Sequence, residues 1–211
     1  MKKFMALLLV AGMTLSLTAC GGSTDTAKTD QADGKDTFTV GFDQDFPPFG
    51  YVGDDGEFTG FDIEMATECA ARMGKKIVLQ PIDWDAKDME LEAGTIDCIW
   101  NGFTMNGRED QYTWTDPYMD NSQVVVVKKD SGINTLADLA GKVVEVQKES
   151  AAETALNDEE HADLMASFAQ LLSVGEYNTA FMDLESGAVD AVAIDIGVAQ
   201  FQIEGKEDQY Q

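Results

Sequence analysis

Basic residues are scarce in this 211-residue chain, which has 14 lysines and arginines against 39 aspartates and glutamates. The formal net charge of −25 repels nucleic acid and anionic membrane surfaces, so neither is expected as a partner. The chain has one histidine, and its three cysteines show no CxxC or cysteine–histidine spacing typical of a metal site. We therefore expect no metal ion, no cofactor and no catalytic residue.

Arginine is rarer still, with only Arg72 and Arg108 in the chain. Arg72 falls at helical spacing and is expected to serve solubility. Arg108 lies in the acidic and aromatic stretch Asp97–Tyr118. A guanidinium offers a planar fork of donors, so in these surroundings it indicates an anionic partner.

The N-terminus holds an apolar run, Phe4–Leu17, preceded by Lys2 and Lys3. The run is too short to span a bilayer as a mature helix and is typical of an export signal. The tetrapeptide Leu17–Cys20 that closes it resembles a bacterial lipoprotein cleavage box. On that resemblance residues 1–20 are a lipoprotein signal peptide and Cys20 carries a lipid anchor; the alternative is a plain secretory signal with an incidental cysteine.

Residues 21–37 contain no large apolar side chain and are rich in Gly, Ser, Thr and Asp. Such a segment cannot bury enough surface to order itself, so we predict a flexible tether. A tethered, anchored protein has its folded part outside the cytoplasmic membrane. Cys69 and Cys98 are expected there as buried free thiols, with a disulfide as the alternative.

Strand and helix patterns alternate after the tether. The predicted strands are 38–42, 76–82, 96–100 and 122–127, and the predicted helices are 61–73 and 86–93. This alternation is typical of an α/β fold with a parallel sheet, whose ligand crevice lies at the carboxyl ends of the strands. Trp84, Asn101 and Thr104 fall at those ends.

The second half of the chain repeats the first in outline. Met89–Ile99 and Met182–Val192 share the same order of Leu, Glu, Gly and Asp, and each predicts a helix, a capping glycine and a strand. We therefore expect two lobes, residues 38–127 and 128–211, with 128–132 as the connector between them.

The two lobes would place opposite charges on the two sides of a cleft. Asp195 holds in the second lobe the strand-end position that Asn101 holds in the first. An α-amino acid could bridge the lobes, with its carboxylate on Arg108 and its ammonium on Asp195. Phe46 and Trp84 would be apolar walls or core residues, and Asp195 could also cap a helix beginning at residue 196.

Six short motifs follow one another along the chain: DxxFPPF (43–49), GFDIE (60–64), Asp83-Trp84, GxIDxI (94–99), Asp116-Pro117-Tyr118 and 190–195. Together they resemble the polar amino acid solute-binding proteins of ABC transporters (bacterial extracellular solute-binding protein family 3). The resemblance implies a two-lobed type II periplasmic-binding-protein fold, in which each lobe is a mostly parallel sheet flanked by helices. It also implies a monomer outside the cell membrane that binds a free polar amino acid, closes its lobes and delivers the ligand to ABC transporter permease subunits.

The resemblance assigns roles to individual positions. Thr104 and Arg108 would hold the ligand carboxylate, while the Gly102 carbonyl and Asp195 would hold the ammonium group. Phe46 and Trp84 would sandwich the ligand between aromatic rings, and Asp43 would contact a polar side chain. Asn101 and Phe103 would be flanking loop residues. Ser150 and Ala151 would form a second-lobe turn that presents backbone amides.

Lys148-Glu149-Ser150-Ala151 stands where the family usually has a Gly-Ser/Thr turn, and Glu149 is expected to point outward. Family members usually continue for several dozen residues past the position of Gln211, so a C-terminal return to the first lobe is expected to be missing. Two rival functions stay open. One is a dehydratase on the same fold, with Asp43 or Glu149 as the acid; the other is a ligand-sensing module.

Overall fold

Strands and helices alternate along residues 35–211, the part of the chain that the computed structural model describes. The strands are β1 (Thr37–Phe42), β2 (Asp45–Phe46), β3 (Gly50–Val52), β4 (Phe58–Thr59), β5 (Lys76–Pro81), β6 (Cys98–Ile99), β7 (Gln123–Val127), β8 (Val143–Gln147), β9 (Gln170–Val174) and β10 (Ala191–Asp195). The helices are α1 (Phe61–Arg72), α2 (Lys87–Ala93), α3 (Ala151–Asn157), α4 (Ala162–Ser167), α5 (Tyr177–Ser186) and α6 (Ile196–Ile203). Each predicted strand and helix is present, with its ends displaced by a residue or two.

The predicted signal peptide, Cys20 and residues 21–34 of the predicted tether lie outside the described residues. The folded part begins before the predicted end of the tether at residue 37. Thr37 already belongs to β1, and the carbonyl of Asp36 accepts a hydrogen bond from the Lys76 N–H at 2.8 Å. Within residues 35–211, no helix is both long enough and apolar enough to cross a bilayer.

The first sheet has the order β5-β1-β6, and all its strands are parallel. Helix α1 buries Ile63, Ala66 and Ala70 beside it. The chain enters α1 through Gly60, whose φ of +126° is open only to glycine; a Cβ there would lie 2.4 Å from the Phe49 carbonyl oxygen. We call this sheet with α1 and α2 the first lobe.

The second sheet has the order β7-β10-β8-β9, with β8, β9 and β10 parallel and β7 antiparallel to β10. Its core is made by β10, α5 and α6, with Tyr177, Leu184 and Val198 fully buried. Helices α2 and α5 both end at a left-handed glycine, Gly94 and Gly187, so the repeat predicted from the sequence is structural. We call this sheet with α3–α6 the second lobe.

The expected lobe boundary after residue 127 does not coincide with the division between the sheets. Strand β7 pairs with β10, so the chain passes from one sheet to the other before Gln123. The predicted connector 128–132 begins at the edge of the second sheet, where Lys128 forms a bridge with Tyr210. A run of valines predicts a buried strand, but it carries no information about the sheet that the strand joins.

A small antiparallel sheet, β2-β3-β4, projects from the first lobe toward the second. Phe46 and Phe49, on either side of a cis peptide bond between Pro47 and Pro48, pack into the core of the second lobe together with Tyr177. The lobes are therefore joined by apolar packing as well as by the chain. Each lobe contains a mostly parallel sheet flanked by helices, which confirms the predicted fold class.

Candidate functional site

Loops from both lobes enclose a small cavity at the ends of the strands. Its lining contains every predicted ligand contact except Asp43, together with Gln147: Phe46, Trp84, Asn101, Gly102, Phe103, Thr104, Arg108, Gln147, Ser150, Ala151 and Asp195. The volume of the cavity, taken as the space that the centre of a water molecule can occupy, is about 20 Å³. A cavity of about 10–15 Å³ holds one water molecule by this measure, so an amino acid fits only if the lobes separate.

Arg108 follows β6 and reaches from the first lobe to the second. Only 7% of the surface of Arg108 is exposed to solvent. Nη1 donates to the Thr104 carbonyl at 3.2 Å, and Nη2 donates to the Glu149 carbonyl at 3.1 Å and to Thr154 Oγ1 at 3.0 Å. Burial lowers the pKa of Arg108 from its usual value, but an arginine so placed keeps its charge at neutral pH. The cavity therefore has one fixed, buried cation.

Asp195 is the last residue of β10 and contributes a buried acid from the second lobe. Its Oδ1 accepts hydrogen bonds from Gln123 Nε2, at 2.8 Å, and from Asn121 Nδ2. Asp195 occupies the N-cap position of α6, but its side chain makes no capping hydrogen bond, so the capping alternative holds only for the backbone. Burial raises the pKa of Asp195, which increases the benefit of a cationic partner.

Asp43 lies just behind the cavity lining and joins the two lobes. Its Oδ2 accepts from Gln147 Nε2 at 2.6 Å, while Oδ1 accepts from the Asp45 N–H at 2.8 Å. Its own N–H donates to Asn101 Oδ1 at 3.0 Å. Burial raises the pKa of Asp43 to about 6, and the hydrogen bonds from Asp45 and Gln147 oppose that rise.

Aromatic rings form part of the cavity wall and also pack against their neighbours. Phe46 stacks on Phe49 with 5.6 Å between ring centroids, and Trp84 meets Phe103 edge-on at 5.1 Å. Phe46 and Trp84 therefore line the cavity and are also buried in the packed interior, while their contact with a ligand stays a prediction. Gly102 lies against the Phe49 ring at a φ of +57°, and a Cβ there would lie 3.2 Å from that ring. This close approach and backbone conformation favour glycine at the position.

Ser150 and Ala151 lie at the start of α3, where the cavity meets the second lobe. Ser150 is buried, and its Oγ caps the helix by accepting from the Glu153 N–H at 3.1 Å. The side chain of Glu149 does not line the cavity, in agreement with the sequence expectation. It is not simply solvated, however, because its carboxylate pairs with Lys87 at 2.7 Å.

Sequence reasoning missed Gln147, Asn121 and Gln123. Gln147 ends β8, so a polar residue at the carboxyl end of a parallel strand was the available signal. Asn121 and Gln123 lie around the start of β7, which runs antiparallel to its neighbour. The expectation that ligands bind at the carboxyl ends of strands holds for parallel strands, so it does not point to these two residues.

A larger apolar groove runs along β6, and its volume by the same measure is about 560 Å³. Cys69 and Cys98 line it and are free thiols. Size favours this groove as a ligand site, but its lining has one charged side chain, Asp97, whereas the small cavity brings opposite buried charges together. In residues 35–211, no group of three or more His, Cys, Asp or Glu side chains is placed to hold a metal ion.

Residues 38–181 match the family described as bacterial extracellular solute-binding proteins, family 3. The chain belongs to this family. It is 36% identical to the arginine-binding extracellular protein ArtP of Bacillus subtilis (strain 168) over 148 residues, which cover 70% of this chain and 56% of ArtP. It is 31% identical to the L-cystine-binding protein TcyJ of Escherichia coli (strain K12) over 194 residues, which cover 90% of this chain and 69% of TcyJ.

Solved structures of the family share the architecture. The histidine-bound substrate-binding protein of an ABC uptake transporter from Streptococcus pneumoniae is 35% identical, with a TM-score of 0.79 over 83% of this chain and 73% of that protein. The expected periplasmic-binding-protein fold is thereby confirmed.

The raised pKa of Asp43 predicts a pH-dependent stability that Asp43→Asn removes. With a folded-state pKa of about 6 and an unfolded value of 3.8, the folded protein binds the proton more tightly. This contribution to stability is complete below pH 3.8 and is lost as the pH rises through 6. From pH 5 to pH 7.5, the wild-type free energy of unfolding should fall by about 1.4 kcal/mol more than that of the variant.

Urea unfolding at the two pH values measures this difference. Asp62 is also buried, and its pKa is likewise raised to about 6, but it is present in both proteins and its effect cancels in the comparison. Equal pH dependence in the wild type and Asp43→Asn would show that the Asp43 carboxyl does not titrate in this range.

Proposed function

We propose that this protein binds a polar α-amino acid in the cleft between its lobes, outside the cytoplasmic membrane, and delivers it to an ABC transporter permease. The observation that carries the proposal is the pair of buried opposite charges, Arg108 and Asp195, which come from different lobes and line one cavity. An α-amino acid is a zwitterion whose two charged groups match that pair. Solute-binding relatives with the same fold support binding rather than a dehydratase reaction or a sensing role.

In this proposal the charged side chains that pair with the two ends of the ligand come from different lobes. The carboxylate binds the Arg108 guanidinium beside Thr104 and the start of α3 at Ser150 and Ala151. The ammonium binds Asp195 and the carbonyl of Gly102. Because neither lobe alone satisfies both charges, the ligand has more favourable contacts in the closed state and shifts the population toward it.

The side chain of the ligand would lie against Phe46 and Trp84 and reach toward Asp43. Asp195 lines the cavity and Asp43 lies directly behind it, whereas Arg108 is the one cation in that lining, so the cleft favours a ligand with a cationic or neutral polar side chain. Relatives and structural neighbours are named for arginine, cystine and histidine. These three amino acids are therefore the first ligands to test.

The proposal includes attachment to the membrane through lipid on Cys20, with the folded part acting as a monomer. Its support is the cleavage box at residues 17–20, behind two lysines and an apolar run. Fractionation of cells that express Cys20→Ser tests the anchor. The wild type should sediment with membranes and the variant should be released; equal membrane retention would exclude lipidation at Cys20.

Arg108→Lys should weaken amino acid binding by about 100-fold, because a lysine keeps the charge but loses the planar fork that pairs with a carboxylate. Isothermal titration calorimetry with arginine, histidine and cystine measures the change. Arg72→Lys is the matched control: it alters the only other arginine, whose exposed side chain pairs with Glu68 on α1. Unchanged affinity in Arg108→Lys, or an equal loss in Arg72→Lys, would contradict the assigned carboxylate site.

A further inference from the structure

Glu149 has an unusual backbone conformation in the turn between β8 and α3. Among the described residues it is the one non-glycine with a positive φ, at +56°. Side chains rarely adopt this left-handed region because the Cβ approaches the following carbonyl, whereas glycine has no Cβ. A glutamate at such a position has a conformational cost that other contacts must offset.

The carboxylate of Glu149 supplies one such contact. Its Oε2 lies 2.7 Å from Nζ of Lys87, whose side chain is only 3% exposed, against 47% for Glu149. Lys87 begins α2 in the first lobe and also lies 5.1 Å from the centre of the Trp84 ring. A buried ammonium needs an anionic partner, and the partner here comes from the opposite lobe.

The backbone carbonyl of Glu149 supplies two further contacts. It accepts from Arg108 Nη2 at 3.1 Å and from Trp84 Nε1 at 3.3 Å. Arg108 and Trp84 are both cavity residues of the first lobe. Three donors of the first lobe therefore converge on one residue of the second.

We propose that Glu149 is a latch that holds the cleft closed through protein contacts alone and that its carbonyl competes with the ligand for Arg108. The competition rests on the proposed binding of a carboxylate at Arg108, whereas the closure does not depend on any ligand. The left-handed backbone turns the carbonyl toward Arg108 while the side chain reaches Lys87. A ligand gains Arg108 only when the latch opens, so Glu149 sets the balance between open and closed protein.

A second ion pair between the lobes provides an internal control. Lys148 Nζ lies 2.7 Å from Asp85 Oδ2, the same separation as in the latch, but the two side chains are 54% and 37% exposed. Ion pairs between exposed side chains contribute little because water and salt screen them. Asp85→Asn therefore removes an interlobe pair of equal length without altering a buried cation.

The test measures the distance between the lobes in the protein without ligand. Spin labels are attached, by a chemistry that does not use cysteine, at Met89 on α2 and Met182 on α5, whose residues are 64% and 60% exposed. Pulsed electron paramagnetic resonance then gives the populations of closed and open protein. Glu149→Gln should raise the ratio of open to closed protein about fivefold or more, because it removes the charge that pairs with the buried Lys87.

Asp85→Asn should give the same distribution of distances between the two spin labels as the wild type. An unchanged distribution in Glu149→Gln, or an equal shift in Asp85→Asn, would overturn the latch. Glu149 is half-exposed, so its substitution is compatible with folding, and thermal melting of each variant verifies this. Since no ligand is present, failure of the latch is distinguishable from failure of amino acid binding, which calorimetry reports separately.

Discussion

The burial of opposite charges on facing lobes is the constraint on which the rest of this structure depends. A buried guanidinium and a buried carboxylate are each costly unless hydrogen bonds and a partner of opposite charge compensate them. Each lobe supplies part of that compensation to its own charge. Thr104 accepts from Arg108, and Gln123 donates to Asp195, while Asn121 contacts both Asp195 and Thr104.

Closure of the lobes supplies the remainder. Arg108 donates to Thr154 and Glu149 of the second lobe, and Gln147 of the second lobe donates to Asp43 of the first. These contacts leave space for about one water molecule in the cavity. The closed arrangement is therefore stabilised by the same groups that would receive a ligand, and the proposed binding mode requires an exchange of partners at Arg108. The apolar contact of Phe46 and Phe49 with Tyr177 accompanies these polar contacts and contributes no charge selectivity.

Much of this architecture was predictable because it follows from local patterns. The helical period of α1, the glycines that end α2 and α5, and the polar residues at strand ends all lie within short windows of sequence. The repeat extended the prediction from Arg108 to Asp195. Membership of β7 in the second sheet was not predictable, because strand pairing depends on long-range packing. The same holds for the Glu149 carbonyl, since no sequence pattern gives the direction of a backbone group in an irregular turn.

In the proposed binding mode, the ligand carboxylate and ammonium pair with charged side chains from different lobes. Calorimetric titration of the wild type with its tightest-binding amino acid, and with the amine that lacks only the carboxylate, tests this most directly. Loss of the carboxylate should weaken binding about 100-fold or more, because the guanidinium of Arg108 then has no anionic ligand group to pair with. Equal affinity for the two compounds would contradict this binding mode.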